Sequence, residues 1–149
     1  METTVYKLSL IGIAAKNPAP CELPLICHKV SAGFASPALD YIEKGLDLNL
    51  FLVAHKEATY YFKVSGDCMT GIGIFDEDII VVDRSLNASH GDLVLAIIDE
   101  EYTLKRLYQK WGRIELHPEN PMFEPIRLTD GQELQIWGVI TGVVRKYKV

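Results

Sequence analysis

The 149-residue chain contains no C-x-x-C pair, no apolar run of membrane-spanning length and no excess of basic residues. Each absence removes a class of protein. Its three cysteines, Cys21, Cys27 and Cys68, are an odd number without metal-type spacing, which argues against a secreted disulfide framework and for a reducing, cytoplasmic setting. No apolar stretch approaches the roughly 18 residues of a membrane helix, so no membrane association is expected. The run from Leu8 to Ala15 resembles a short export signal only in length, because Glu2 precedes it and Lys7 is the one early positive charge. Lys and Arg number 15 against 20 Asp and Glu, a net charge of −5. Chains that grip phosphate usually cluster basic residues, so direct sequence-specific DNA binding is not expected and the partners should be proteins. His28, His55, His90 and His117 show no pairing that suits a metal, and no cofactor is expected.

What is present points to one compact, mainly β domain with an appendage. Residues 1–35 read as an extended N-terminal arm, since Pro18, Pro20 and Pro24 prevent a continuous helix. Residues 36–55 read as a short helical linker. Ser36 can cap a helix with Pro37 in its first turn and Gly45 at its end, and Asp47 can cap a second segment through Ala54. From residue 56 to 149 short runs rich in Val, Ile and Tyr alternate with Gly, Asp and Asn, which is the pattern of strands and turns. The expected strands are Tyr60–Val64, Ile79–Asp83, Asp92–Ile98, Tyr102–Tyr108, Arg113–His117 and Leu134–Lys146, with a tight turn at Asp99-Glu100. The acidic triplet Asp76-Glu77-Asp78 reads as a solvated turn.

Two places could carry chemistry. Val64-Ser65-Gly66-Asp67-Cys68-Met69 is a strand running into a glycine turn, which can expose a side chain and the N–H groups beside it. A buried, inert cysteine is the more ordinary reading of Cys68 from the residues alone. In Tyr102-Thr103-Leu104-Lys105-Arg106-Leu107, period-two alternation sets Thr103, Lys105 and Leu107 on one face, so Lys105 is either partly buried or a solvated surface lysine.

Several ordered blocks resemble a known family. Ser65-Gly66-Asp67-Cys68-Met69, Gly73-Ile74-Phe75-Asp76-Glu77-Asp78-Ile79 through Ser85, Ser89-His90-Gly91-Asp92 and Thr103-Leu104-Lys105-Arg106-Leu107 are similar to the catalytic domain of LexA and UmuD. The likeness extends upstream to Ala32-Gly33-Phe34-Ala35-Ser36-Pro37 and downstream to Trp137-Gly138-Val139-Ile140. It implies a LexA-like β domain in which a serine and a lysine form a dyad that cuts the chain's own arm. Carried over by position, the nucleophile falls on Cys68, the general base on Lys105, the oxyanion donors on the Asp67 and Cys68 backbone, and the cut between Ala32 and Gly33. A lysine acts as a base only when neutral, and burial disfavours the charged form.

The family motif has serine where this chain has Cys68. Sulfur is larger than oxygen and leaves more readily than an amine, so slow or absent cleavage is expected. Only 32 residues reach Ala32, too few for a three-helix DNA reader, so a LexA-type repressor is the weaker reading. The UmuD-like reading implies a cytoplasmic bacterial homodimer and a RecA filament on single-stranded DNA that stimulates the cut. It also implies a UmuC-like Y-family DNA polymerase as partner in mutagenic lesion bypass. The competing reading is a non-cleaving dimeric module that docks on polymerase or RecA.

Overall fold

The computed structural model describes residues 9–14, 18–20, 22–23, 45–128 and 132–147. The expected helix after Ser36 and the Ala32-Gly33 pair lie outside the described residues, as do Cys21, Cys27 and His28. The described chain is mainly β, as its alternating pattern requires. In chain order it forms β1 (Ser9–Ile13), β2 (Glu22–Leu23), β3 (Leu46–Asp47), α1 (Leu48–Leu52) and β4 (Thr59–Lys63). A 3-10 turn (Thr70–Ile72) follows, then β5 (Ile79–Asp83), β6 (Leu93–Ile98), β7 (Glu101–Lys110), β8 (Arg113–His117), β9 (Ile126–Arg127) and β10 (Leu134–Val144). Eight strands make one antiparallel sheet in the order β1-β4-β5-β10-β6-β7-β8-β9, and β2 pairs with β3.

The local reasons are legible. Asp47 accepts from the N–H groups of Asn49 at 2.9 Å and Leu50 at 3.4 Å, capping α1 as its residue type favours. Asp99 and Glu100 join β6 to β7 with φ of 47° and 69°, the left-handed pair that a two-residue hairpin turn demands even without glycine. The strand expected to run to Lys146 ends at Val144, because Arg145 leaves the ladder to bond Asp78. Within the stretch expected as an arm, Ser9–Ile13 pairs with β4 and widens the sheet.

Successive residues of β6 serve two apolar layers. Leu95 joins Phe62, Val64, Cys68, Met69, Ile74, Ile80, Val82 and Leu104, while Val94 and Ala96 join Leu107 and Leu116. The strand β10 lies between β5 and β6, with a register shift against each. At Gly138 a Cβ would meet Val82 Cγ1 at 2.6 Å, so only glycine allows this close crossing. The apolar run Ile136-Trp137-Gly138-Val139-Ile140 is largely used inside the fold. Trp137 meets Tyr60 and Phe62 edge-on at 5.1 and 5.2 Å, and the apolar groups that stay exposed along this strand are Val143 and Val144. No described helix is long and apolar enough to cross a membrane.

Candidate active site

The site is built on the loop that follows β4. Val64 exchanges backbone bonds with Asp78 and Glu77, each 2.8 Å, and Gly66 turns the chain at φ 107° while its N–H donates to Asp76 Oδ1 at 2.9 Å. Cys68 and the 3-10 turn come next. Gly71 passes so close beneath Glu119 that a Cβ would sit 2.3 Å from the Glu119 carbonyl oxygen, which instead accepts the Gly71 N–H at 2.7 Å. The Glu119 N–H donates to the Cys68 carbonyl at 2.9 Å, and Asn120 Nδ2 donates to the Asp67 carbonyl at 2.8 Å and to Thr70 Oγ1 at 3.3 Å. Arg106 holds Glu119 from below, pairing with its carboxylate and donating to the Gly91 carbonyl at 2.6 Å.

This clamp fixes the peptides on both sides of Cys68. A trans peptide points its N–H opposite to its C=O, so tying the Asp67 carbonyl to Asn120 turns the Cys68 N–H away from Asn120. That N–H has no protein acceptor among the described residues.

Lys105 arrives from β7. Strand β8 pairs with β7 only from Arg106 onward, so the Leu104 carbonyl faces a side that β8 does not cover. Lys105 Nζ donates there to Leu104 O at 3.1 Å and to Thr103 Oγ1 at 2.9 Å, and lies 3.4 Å from Cys68 Sγ. Cys68 Sγ is itself 3.8 Å from Leu104 O. Both side chains are buried, Cys68 8% exposed and Lys105 6%. Two charge states satisfy these contacts: a thiol facing an amine lone pair, or a thiolate accepting the third N–H of an ammonium. The nucleophile and base positions drawn from sequence are therefore brought into contact, with Asp67 and Cys68 at the turn where oxyanion donors were expected. Ser65, half-buried, lies upstream of that turn.

The acidic triplet corrects one expectation. Asp76 and Glu77 are exposed, but Asp78 is buried at 1%. Arg145 Nε donates to Asp78 Oδ1 at 2.6 Å, its other arm reaches Oδ2 and the Gly73 carbonyl, and Phe75 N–H donates to Oδ2 at 2.8 Å. The Arg145 hydrogen bonds outweigh desolvation and hold the Asp78 carboxyl below the usual carboxylate range. At Asp83, burial pushes the carboxyl up, yet the bonds from Ser85 and His55 prevail and it too is lowered. Among the described residues no cluster of His, Cys, Asp and Glu could hold a metal.

Sequence reasoning missed Arg106, Glu119 and Asn120 as supports of the Cys68 loop. The signal was there in Pro118-Glu119-Asn120-Pro121, a polar pair fixed between two prolines directly after a strand.

Comparison with known proteins gives this arrangement its relatives. Residues 24–141 match the family described as Peptidase S24-like. The chain belongs to that family. It is 39% identical over 137 residues to protein SamA of Salmonella typhimurium, covering 92% of this chain and 95% of that one. Protein MucA of Escherichia coli is 43% identical over 120 residues, 80% of this chain and 82% of its own. The LexA repressor of Syntrophotalea carbinolica is 46% identical over 89 residues, but these are only 44% of the repressor. The S24-like chain thus matches SamA nearly end to end, MucA over about four-fifths and the repressor in part, in keeping with the UmuD-like resemblance.

Proposed function

We propose that this chain is a UmuD-like accessory factor of SOS mutagenesis, whose Cys68 and Lys105 form the dyad that cuts the arm between Ala32 and Gly33. The observation that carries the reading is the buried 3.4 Å contact between Cys68 Sγ and Lys105 Nζ. In the cut, Lys105 takes the thiol proton while sulfur bonds the Ala32 carbonyl carbon. The Asp67 and Cys68 N–H groups receive the developing oxyanion. Collapse expels the Gly33 amine, which takes the proton from Lys105 and leaves a thioester on Cys68. Water, deprotonated by Lys105, then releases Ala32 as a carboxylate and restores the thiol. The small Ala32-Gly33 pair lets the arm lie close to the nucleophile.

In this reading a RecA filament on single-stranded DNA stimulates the cut, and the shortened homodimer joins a UmuC-like Y-family polymerase. The excess of acidic residues and the match to most of SamA and MucA favour it over a DNA-binding repressor. The test is mass spectrometry of the intact chain and of Cys68→Ser, each incubated with RecA, single-stranded DNA and a nucleotide triphosphate. A cut after Ala32, faster in Cys68→Ser and absent once Lys105→Ala is added, supports the proposal. A folded Cys68→Ser chain that stays whole refutes the peptidase role and leaves the docking module.

A further inference from the structure

Position 68 offers a chemistry that serine lacks. We propose that Cys68 and Lys105 form a reversible redox lock, in which hydrogen peroxide oxidises the sulfur and the lysine amine then closes a sulfur–nitrogen bond between the two side chains. The inference goes beyond self-cleavage and stands on the contact between the two groups.

Proximity comes first. Sγ and Nζ are 3.4 Å apart, within the roughly 3–3.5 Å of a near-attack contact. The amine is kept there by Thr103 Oγ1 and the Leu104 carbonyl, both supplied by the strand that carries it. Burial then selects among the products of oxidation. Hydrogen peroxide is little larger than water and can reach a residue that is 8% exposed, whereas a capping thiol such as glutathione must bring a whole peptide to it. Among the described residues Cys68 is the single free cysteine, and Lys105 is the amine in contact with it.

The steps balance. The thiol and one hydrogen peroxide give a sulfenic acid and water, sulfur losing the two electrons that the peroxide gains. The Lys105 lone pair attacks sulfur, the S–O bond breaks, and the oxygen leaves as a second water with an amine proton. One S–H and one N–H are lost and one S–N bond is gained. Well-oriented intramolecular reactions reach effective concentrations of roughly 10⁵–10⁸ M, so capture by Lys105 outruns a second, dilute hydrogen peroxide that would carry sulfur on to the irreversible sulfinic acid. A small thiol such as dithiothreitol, which lacks the peptide of glutathione, reverses the lock by attacking sulfur and releasing the amine. While it is closed, neither a nucleophile nor a base is present at the site.

The experiment uses the full chain carrying Cys21→Ser and Cys27→Ser, so that no disulfide can form within it. Treated with hydrogen peroxide, it should lose two hydrogens at the Cys68–Lys105 pair and retain no oxygen on the Cys68 sulfur, with methionine sulfoxides assigned separately by fragmentation. Fragmentation should link the peptides holding positions 68 and 105, and dithiothreitol should restore the starting mass. With Lys105→Met the Cys68 sulfur should keep its oxygen, and with Cys68→Ser no link between the two peptides should form. An oxygen retained on Cys68 in the lysine-bearing chain, an unoxidised Cys68, or a link that survives the loss of Lys105 overturns the lock. No variant at position 105 is needed for the fragmentation result, which stands even if Lys105→Met fails to fold. The reading needs neither RecA nor a cut arm, so it succeeds or fails separately from self-cleavage. Should the chain cut itself, peroxide should slow that cut at least about a hundredfold until reductant is added, the low end of the range for general-base loss.

Discussion

The loop that carries Cys68 is held by residues from far along the chain, whereas Lys105 is held by its own strand. Glu119 and Asn120 bind the loop from one side, and the Asp78–Arg145 pair braces its return. Lys105 Nζ is bonded by Thr103 and Leu104 of its own strand, at the place where β8 falls short. A strand sets a side chain by its period alone, so Lys105 can be placed with local bonds. A turn that exposes backbone N–H groups gives up its own ladder bonds, and other segments must fix it.

The sharpest way to break this contrast is to remove the locally held member. In the Cys68→Ser background, Lys105→Ala should slow cleavage by about 10²–10⁴-fold with little loss of fold, read by mass spectrometry and circular dichroism. A rate left unchanged would show that the base lies elsewhere. On the distantly held side, Asn120→Ala in the serine background should slow cleavage by at least about tenfold, part of what a lost oxyanion donor costs. The same substitution beside Cys68 should leave the alkylation rate with iodoacetamide unchanged, since that displacement forms no oxyanion. If both rates fall together, Asn120 merely supports the loop.

Acid probes the brace. A carboxyl whose folded pKa is depressed contributes stability above its unfolded value, and the contribution is lost as pH falls through the folded one. Asp78 and Asp83 are both lowered, so thermal stability should hold at neutral pH and decline below about pH 4. Asp78→Asn should melt lower at pH 7 and show a shallower decline in acid. An equal slope in both proteins would assign the acid sensitivity to Asp83. The smallest effect lies away from the site: Glu100→Gly relieves a left-handed residue and should add up to about 1 kcal/mol in urea unfolding without altering cleavage.

The same contrast explains what the sequence could reveal. Ile79–Asp83 and Arg113–His117 match their expected bounds because alternation and flanking turns are local signals. The residues alone leave Lys105 between a buried and a solvated reading, because the deciding fact is where β8 stops pairing. Asp78 reads as solvated for a similar reason, its partner lying 67 residues away. Asn120 reaches back 53 residues to Asp67, a distance that no periodicity reports. Cys68 was placed by resemblance, not by pattern, and its neighbour in space is the residue that the resemblance named.

The position of β10 bears on when the protein can act during its synthesis. One half of the large sheet, β1-β4-β5, leads into the Cys68 loop, and the other, β6-β7-β8-β9, carries Lys105; β10 is the strand that joins them. It leaves the ribosome after every other described strand. A nascent chain therefore holds Cys68 and Lys105 before the strand that joins their two halves of the sheet has been made, and the sheet that brings the two side chains together closes only when β10 is in place.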